Sequence, residues 1–415
     1  MTVTPHAPVP APAPVVDPGY TVRRRAEVIV RVVVVMLVVV HFRDVFWGDL
    51  RAYWDRAEGF SLHHLPYRDF FWEFPPLTVV ALLLIPVVRT FEVFIVTFPI
   101  AMAACEYASL ELLRRAYPER ARLLTRWWHL VCVPLGAIAY FRLDPLAVLP
   151  ACVALVAIAR RRPHVAPAIV AGIAAKLWPV VFLPVLVMQR RWRAAGSTIA
   201  GTVGLLAAWW AFSPRGFRDF LRFRKGTGLQ IESTFGAVVH LAGHAPGFGA
   251  GAFVVGAGGW SWVDPFGMAV VAAVVAVIVV RARTRVLDVE QFIAGTVIAL
   301  MMASRLFSPQ YLLWAAPFVC LVVAGGRGKR AAVLFAGATG LTLLEIWAYH
   351  PLVHGMVVLE LVVVVRNVML LVAAVDLLRG CLRGAPPVTR RREDPVLPVT
   401  LREPDFPHEV LVAAR

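Results

Sequence analysis

Apolar runs on the scale of a membrane helix recur along almost the whole chain, and a soluble fold has no place for so many. Val32 to Val40 and Val270 to Val280 show their character. The chain is 59% hydrophobic over 415 residues, against about 45–50% in soluble domains. In hydrocarbon every backbone amide needs an internal partner, so such runs become helices. The reading is an all-α, polytopic transmembrane helical bundle with a large extracytoplasmic first loop.

The runs lie near 28–47, 77–88, 91–113, 127–141, 145–159, 164–188, 195–212, 265–281, 290–306, 309–324, 331–349 and 354–378. At roughly 20 residues per crossing they give about 11 to 12 spans. Several are shorter than that, which is tolerated where a helix lines a protein-walled cavity. Residues 1–22 are a Pro/Ala-rich tail and 381–415 a polar, Pro-interrupted one. The membrane domain is 23–380. The N-terminus lacks the early apolar core of a cleavable signal peptide.

The net charge is +16. The arginines fall in short clusters between apolar runs, the pattern of cytoplasmic loops and headgroup contacts. A contiguous basic face with interleaved aromatics is absent, so nucleic acid is excluded as a partner. Arg23, Arg24 and Arg25 ahead of the first run place the N-terminus in the cytoplasm. Arg31 is read as snorkelling back to the headgroups.

Arg160–Arg162 and Arg190–Arg193 also read as cytoplasmic, with one long run between them. A broken hairpin, 164–175 then 177–188, reconciles them and puts Lys176 at its far tip. The Arg-rich 114–126 segment reads as cytoplasmic too. That requires either 77–88 or 91–113 not to cross.

Between the first two runs stands a polar, aromatic island. It holds Asp49, Asp55, Glu58, Asp69 and Glu73 against Arg51, Arg56 and Arg68. Ionisable groups at a membrane boundary cost energy to desolvate, so a cluster there marks a candidate site. Asp49, where span one leaves the membrane, suits a general base on an acceptor hydroxyl. The competing reading is a solvated acid paired with Arg51. Glu73-Phe74-Pro75-Pro76 reads as the opening of the next helix. Tyr53, Trp54, Tyr67, Phe70, Phe71 and Trp72 are either an interfacial aromatic belt or a stacking surface for a sugar ring. His63-His64 lack a further His or Cys at ligand spacing, so no metal site is assigned.

Lys176 interrupts an apolar run, and an intramembrane lysine usually faces a cavity or a partner. Its point charge suits a phosphate; snorkelling is the alternative. A second polar segment, 213–246, carries Arg215, Arg218, Arg222, Arg224 and Lys225 and then Gln230 to Ser233. In Ser304–Trp314, Arg305 suits a phosphate, and Gln310 and Tyr311 suit sugar hydroxyls. The plain alternative is an ordinary loop. The five cysteines read as small buried hydrophobes. No phosphate-binding glycine loop and no dinucleotide fingerprint occur, so any substrate is expected to be membrane-borne.

Four motifs, in order, carry a resemblance. They are Asp49 with Tyr53; Pro66-Tyr67-Arg68-Asp69 followed by Glu73-Phe74-Pro75-Pro76; Lys176-Leu177-Trp178-Pro179 ahead of Arg190-Arg191-Trp192-Arg193; and Ser308-Pro309-Gln310-Tyr311 with Leu313-Trp314. Glu232-Ser233 adds to them. Over residues 20–380 the chain resembles the polyprenyl-phosphate-sugar-dependent glycosyltransferases of the C-type membrane fold, and among them glycosyltransferase family 87. Two departures stand out. Phe74 replaces a tyrosine usual before the two prolines, and Arg142-Leu143-Asp144 replaces a Gly-Gln-x-Asn/Asp turn.

The resemblance implies an alpha-mannosyltransferase-like enzyme of the plasma membrane, surrounded by membrane lipids and working on the extracytoplasmic face. It implies a polyprenyl-phosphate-sugar donor, a lipid or glycan acceptor, no cofactor and no metal. It implies Asp49 as catalytic base. Tyr53, Tyr67, Asp69, Glu73, Lys176, Arg224, Glu232, Arg305, Gln310 and Tyr311 are then expected to bind substrate. The competing function is a secondary transporter or flippase of lipid-linked sugars, which broken helices and a buried lysine would also suit.

Overall fold

The computed structural model describes residues 18–41, 43–57, 59–223, 227–249, 251–256 and 259–381. α1 (Pro18–His41) is followed by α2 (Arg43–Ala57), so the island begins inside a helix and not in a loop. A 3-10 turn at Pro76–Thr78 opens two short pieces, α3 (Val79–Leu82) and α4 (Leu84–Val88). Then come α5 (Phe91–Ala116), α6 (Ala121–Ala139), α7 (Pro145–Ala159) and α8 (Val165–Ala175). After a 3-10 turn at Trp178–Val181 follow α9 (Phe182–Met188), α10 (Trp192–Phe212) and α11 (Pro214–Arg222).

The second polar segment holds β1 (Leu229–Gln230), α12 (Thr234–Leu241), β2 (Gly247–Gly249) and β3 (Ala252–Val255). Its strands form a small antiparallel sheet in the order β1-β3-β2. The chain continues with α13 (Val263–Arg281), α14 (Val289–Ala303), a 3-10 turn at Pro309–Tyr311 and α15 (Leu312–Ala324). It finishes with α16 (Lys329–Trp347), α17 (Tyr349–Val353) and α18 (Val357–Gly380).

Five of these helices are long and apolar enough to cross a membrane: α5, α10, α13, α16 and α18. The apolar segments at 145–159, 165–175, 178–188, 289–303 and 309–324 are shorter. With α1 and α6 they make twelve helical segments among the described residues. Side-chain pairs show that the segments alternate between two ends.

At one end Glu27 meets Arg114 at 2.8 Å, Arg24 pairs with Glu111, and Arg120 meets Glu290 at 2.9 Å. Arg160 donates to the Arg115 carbonyl at 3.1 Å, and Arg191 to the Arg162 carbonyl at 3.1 Å. Arg327 pairs with Asp288 and Glu290, and Arg330 with Asp376. At the other end lie Asp49, Arg142, Lys176, Tyr67, Glu232 and Arg305, joined by contacts set out below.

This alternation settles which early run fails to cross. Residues 76–88 hold no single helix longer than the five residues of Leu84–Val88. They are broken into three pieces that pack against α5 and α8. α5 crosses instead. The first run leaves its end and α5 returns to it, so Arg114 and Arg115 share an end with Arg24.

Arg31 corrects another expectation. It is 3% exposed and does not snorkel. Its guanidinium meets Glu106 of α5 at 2.5 Å, and Glu106 also accepts from Trp128 and from the Tyr140 hydroxyl at 3.0 Å. A carboxylate inside the bundle removes the need to reach the headgroups. Four of the six island aromatics are not an interfacial belt either. Tyr53, Trp54, Tyr67 and Trp72 are buried with Phe94 and Phe98 in one apolar cluster.

Candidate active site

Asp49 and Tyr53 stand one turn apart on α2, which makes no crossing, so both project from one helix face. The Asp49 carboxylate forms a close ion pair with Arg142, from the turn between α6 and α7. Both side chains stay 26% exposed, so the pair opens onto accessible space. Burial pushes the Asp49 carboxyl above the ordinary carboxylate range; Arg142 pulls it down and Glu73 pushes it up. Arg142 Nε is buried and finds no acceptor within the protein. Glu73 is held by Arg56 at 2.9 Å.

Tyr53 packs edge-on against Phe74 at 5.7 Å and Trp72 at 5.8 Å. Phe74 also faces Lys176, whose ammonium lies 5.2 Å from its ring centre. Tyr311 at 5.2 Å and Trp314 at 5.7 Å surround the same ammonium. Three rings with their negative faces near one cation stabilise its charge. Tyr311 stacks on Trp314 at 4.1 Å, and Trp314 Nε1 donates to Asp144 Oδ1 at 2.7 Å. Asp144 completes the cage, 3.5 Å from Lys176 Nζ. α8 stops where it does because Lys176 is extended, and Pro179 follows.

Beside this group lies a second polar centre. The Tyr349 hydroxyl donates to Glu232 Oε1 at 2.8 Å. The Glu232 carbonyl accepts from Arg366 and from Asn367 Nδ2 at 3.2 Å, and Arg366 is neutralised by Glu345 at 2.5 Å. Burial pushes the Glu232 carboxyl up, against the hydrogen bond from Tyr349. Burial and Glu232 push the Tyr349 hydroxyl up, and Arg142 opposes them, so the charge beside Asp49 also acts here.

The family model of glycosyltransferase family 87 matches residues 72–309, more than half of the chain. The chain belongs to glycosyltransferase family 87. Neither the search of curated proteins nor that of solved structures finds a match. The family 87 match takes in Glu73, Arg142, Asp144, Lys176, Glu232 and Arg305; it begins after Asp49 and stops short of Gln310 and Tyr311.

In this family 87 glycosyltransferase the fold gathers Asp49, Tyr53, Glu73, Lys176 and Tyr311 from segments far apart in sequence. Glu232 lies in the adjoining centre, and Gln310 is buried in the turn that carries Tyr311. Three of the expected binding residues make structural contacts. Arg305 is anchored to Asp264 at 2.7 Å and to the Thr227 carbonyl at 2.8 Å, tying α13, α14 and the β1 segment together. The Tyr67 hydroxyl donates to the Phe74 carbonyl at 2.6 Å, and its own carbonyl accepts from Ser213 at 2.7 Å. Asp69 closes an exposed turn by accepting from the Leu65 amide at 2.7 Å, and Arg68 beside it holds its carboxyl low. Arg224 lies outside the described residues.

Sequence reasoning missed Arg142, Asp144 and Trp314 as site members. One signal was available: Arg142-Leu143-Asp144 places two charges between the apolar runs 127–141 and 145–159.

Proposed function

We propose that this membrane glycosyltransferase moves a hexose, mannose, from a polyprenyl-phosphate-linked donor to a hydroxyl of a lipid or glycan acceptor, with inversion, on the extracytoplasmic face. The observation that carries the reading is the Asp49–Arg142 pair set beside the caged Lys176. It offers a base and two cations at one end of the bundle.

Asp49 takes the acceptor hydroxyl proton as that oxygen bonds to the anomeric carbon. The bond from that carbon to the phosphate oxygen breaks, and its electron pair leaves with the lipid phosphate. That group gains one negative charge, and Arg142 and Lys176 stabilise it. Arg142 Nε has no acceptor within the protein, which leaves this guanidinium a spare donor on the scheme. The leaving group departs as an anion, so the scheme needs no proton donor on it and assigns no metal or cofactor.

Sidedness rests on charge. The end opposite the site gathers Arg23–Arg25, Arg114, Arg115, Arg120, Arg160–Arg162, Arg190, Arg191, Arg281, Arg283, Arg327 and Arg330, the bias of a cytoplasmic face.

The test is transfer in proteoliposomes from radiolabelled polyprenyl-phosphate-mannose to extracted membrane lipids. The expected result is label in the lipid fraction, lost with D49N. Label transferred from a nucleotide sugar and not from the lipid-linked donor would overturn the donor assignment.

A further inference from the structure

The end of the bundle away from the active-site cluster carries a half-open cavity of about 560 Å³. It lies where the turn between α9 and α10 meets the last turn of α13. Its lining includes Val187, Met188 and Val279 together with Arg190, Trp192 and Arg283. An apolar wall with two guanidinium groups is the make-up of a site for an amphiphile with an anionic head.

Three further observations point the same way. Neither Arg190 nor Arg283 has a side-chain hydrogen bond or ion pair among the described residues, whereas Arg24, Arg114, Arg120, Arg160, Arg191 and Arg327 at this end pair with a carboxylate or a carbonyl. The flank is open to lipid: α10 and α13 are only 17% and 22% buried, the least of the five long apolar helices. Trp192 at the cavity is 63% exposed, as suits a residue at headgroup depth.

We infer that this cavity binds one anionic phospholipid, its phosphate between Arg190 and Arg283 and an acyl chain along Val187, Met188 and Val279. Two guanidinium groups bind a phosphate by charge-assisted, fork-like hydrogen bonds that a zwitterionic headgroup satisfies less well. The volume suits a headgroup and the start of a chain, being within the roughly 300–1,000 Å³ of ordinary ligand cavities. The inference is independent of the active-site reading, because no residue of the Asp49 cluster takes part.

The test uses the full-length protein, delipidated in a non-ionic detergent and examined by native mass spectrometry. The probes are phosphatidylglycerol, phosphatidylcholine and inorganic phosphate as competitor. The expected result is one retained phosphatidylglycerol, not displaced by the other two. R190Q/R283Q should weaken it about tenfold or more, as loss of charged hydrogen bonds predicts. V279W, which fills the cavity and leaves both charges, should also weaken it, and it replaces the double variant should that one not fold. Equal retention by both variants, equal retention of phosphatidylcholine, or displacement by inorganic phosphate would each overturn a phospholipid site.

Discussion

Lys176 Nζ stands 3.5 Å from Asp144 Oδ1 inside a ring of Phe74, Tyr311 and Trp314, a cation brought to the candidate site by a break between two short helices. On the proposed mechanism its charge acts as the phosphate leaves. K176M should therefore lower kcat by about 10²–10³, the range for losing one preorganised electrostatic group. Single-turnover transfer measures it. A change confined to KM would mean that Lys176 only binds the ground state.

Asp49 is assigned the proton. D49N keeps the shape and removes the base, and the expected loss is about 10²–10⁴-fold in kcat. Donor binding, read separately by protection from thermal unfolding, should survive. Full turnover by D49N would remove Asp49 from the mechanism.

The pH profile follows from the raised Asp49 carboxyl. A base works deprotonated, so activity should rise with pH along an acid limb centred above the ordinary carboxylate range. Arg142 pulls this carboxyl down. R142Q removes that pull, and the limb should move to higher pH as the maximal rate falls. An unmoved limb would show that another group titrates.

Arg366 and Glu345 are both fully buried, and the pair holds the Glu232 carbonyl. R366M leaves Glu345 without its counter-charge, which costs about 3–5 kcal/mol at buried pairs. The thermal midpoint in detergent should drop sharply, and E345M/R366M should recover much of the loss. No recovery would mean that Arg366 stabilises through Glu232 alone.

Gly216 fixes the first loop against α11. A Cβ there would sit 2.3 Å from the Tyr67 carbonyl oxygen, and backbone cannot yield like a flexible side chain. G216A should destabilise by about 1–3 kcal/mol, the usual penalty of overpacking. It should also slow transfer, because Tyr67 anchors the Phe74 carbonyl. Unchanged stability and rate would show that this loop is not fixed there.

The membrane class and the break at Lys176 were legible in the sequence. Apolar run length and arginine clustering are local signals, and lipid leaves the backbone few alternatives. That Asp49, Tyr53, Glu73 and Lys176 form a candidate cluster was also legible, since charge or aromaticity at a membrane boundary is conspicuous. Arg31 was misread because Glu106, its partner, lies on another helix and sequence spacing does not reveal it. The anchoring of Arg305 was not legible for the same reason: only packing brings Asp264 to it.

By itself the sequence determined that this is a helical membrane protein with a charged, aromatic cluster at one end and arginines at the other. Tertiary structure alone decided that 76–88 is broken into short pieces while α5 runs unbroken between the two ends, that Arg142 belongs to Asp49, and that Asp144 and three rings enclose Lys176. The physical reason is common to all three. A lone charge carries a desolvation penalty that sequence can flag, but which opposite charge or ring offsets it depends on how the helices pack.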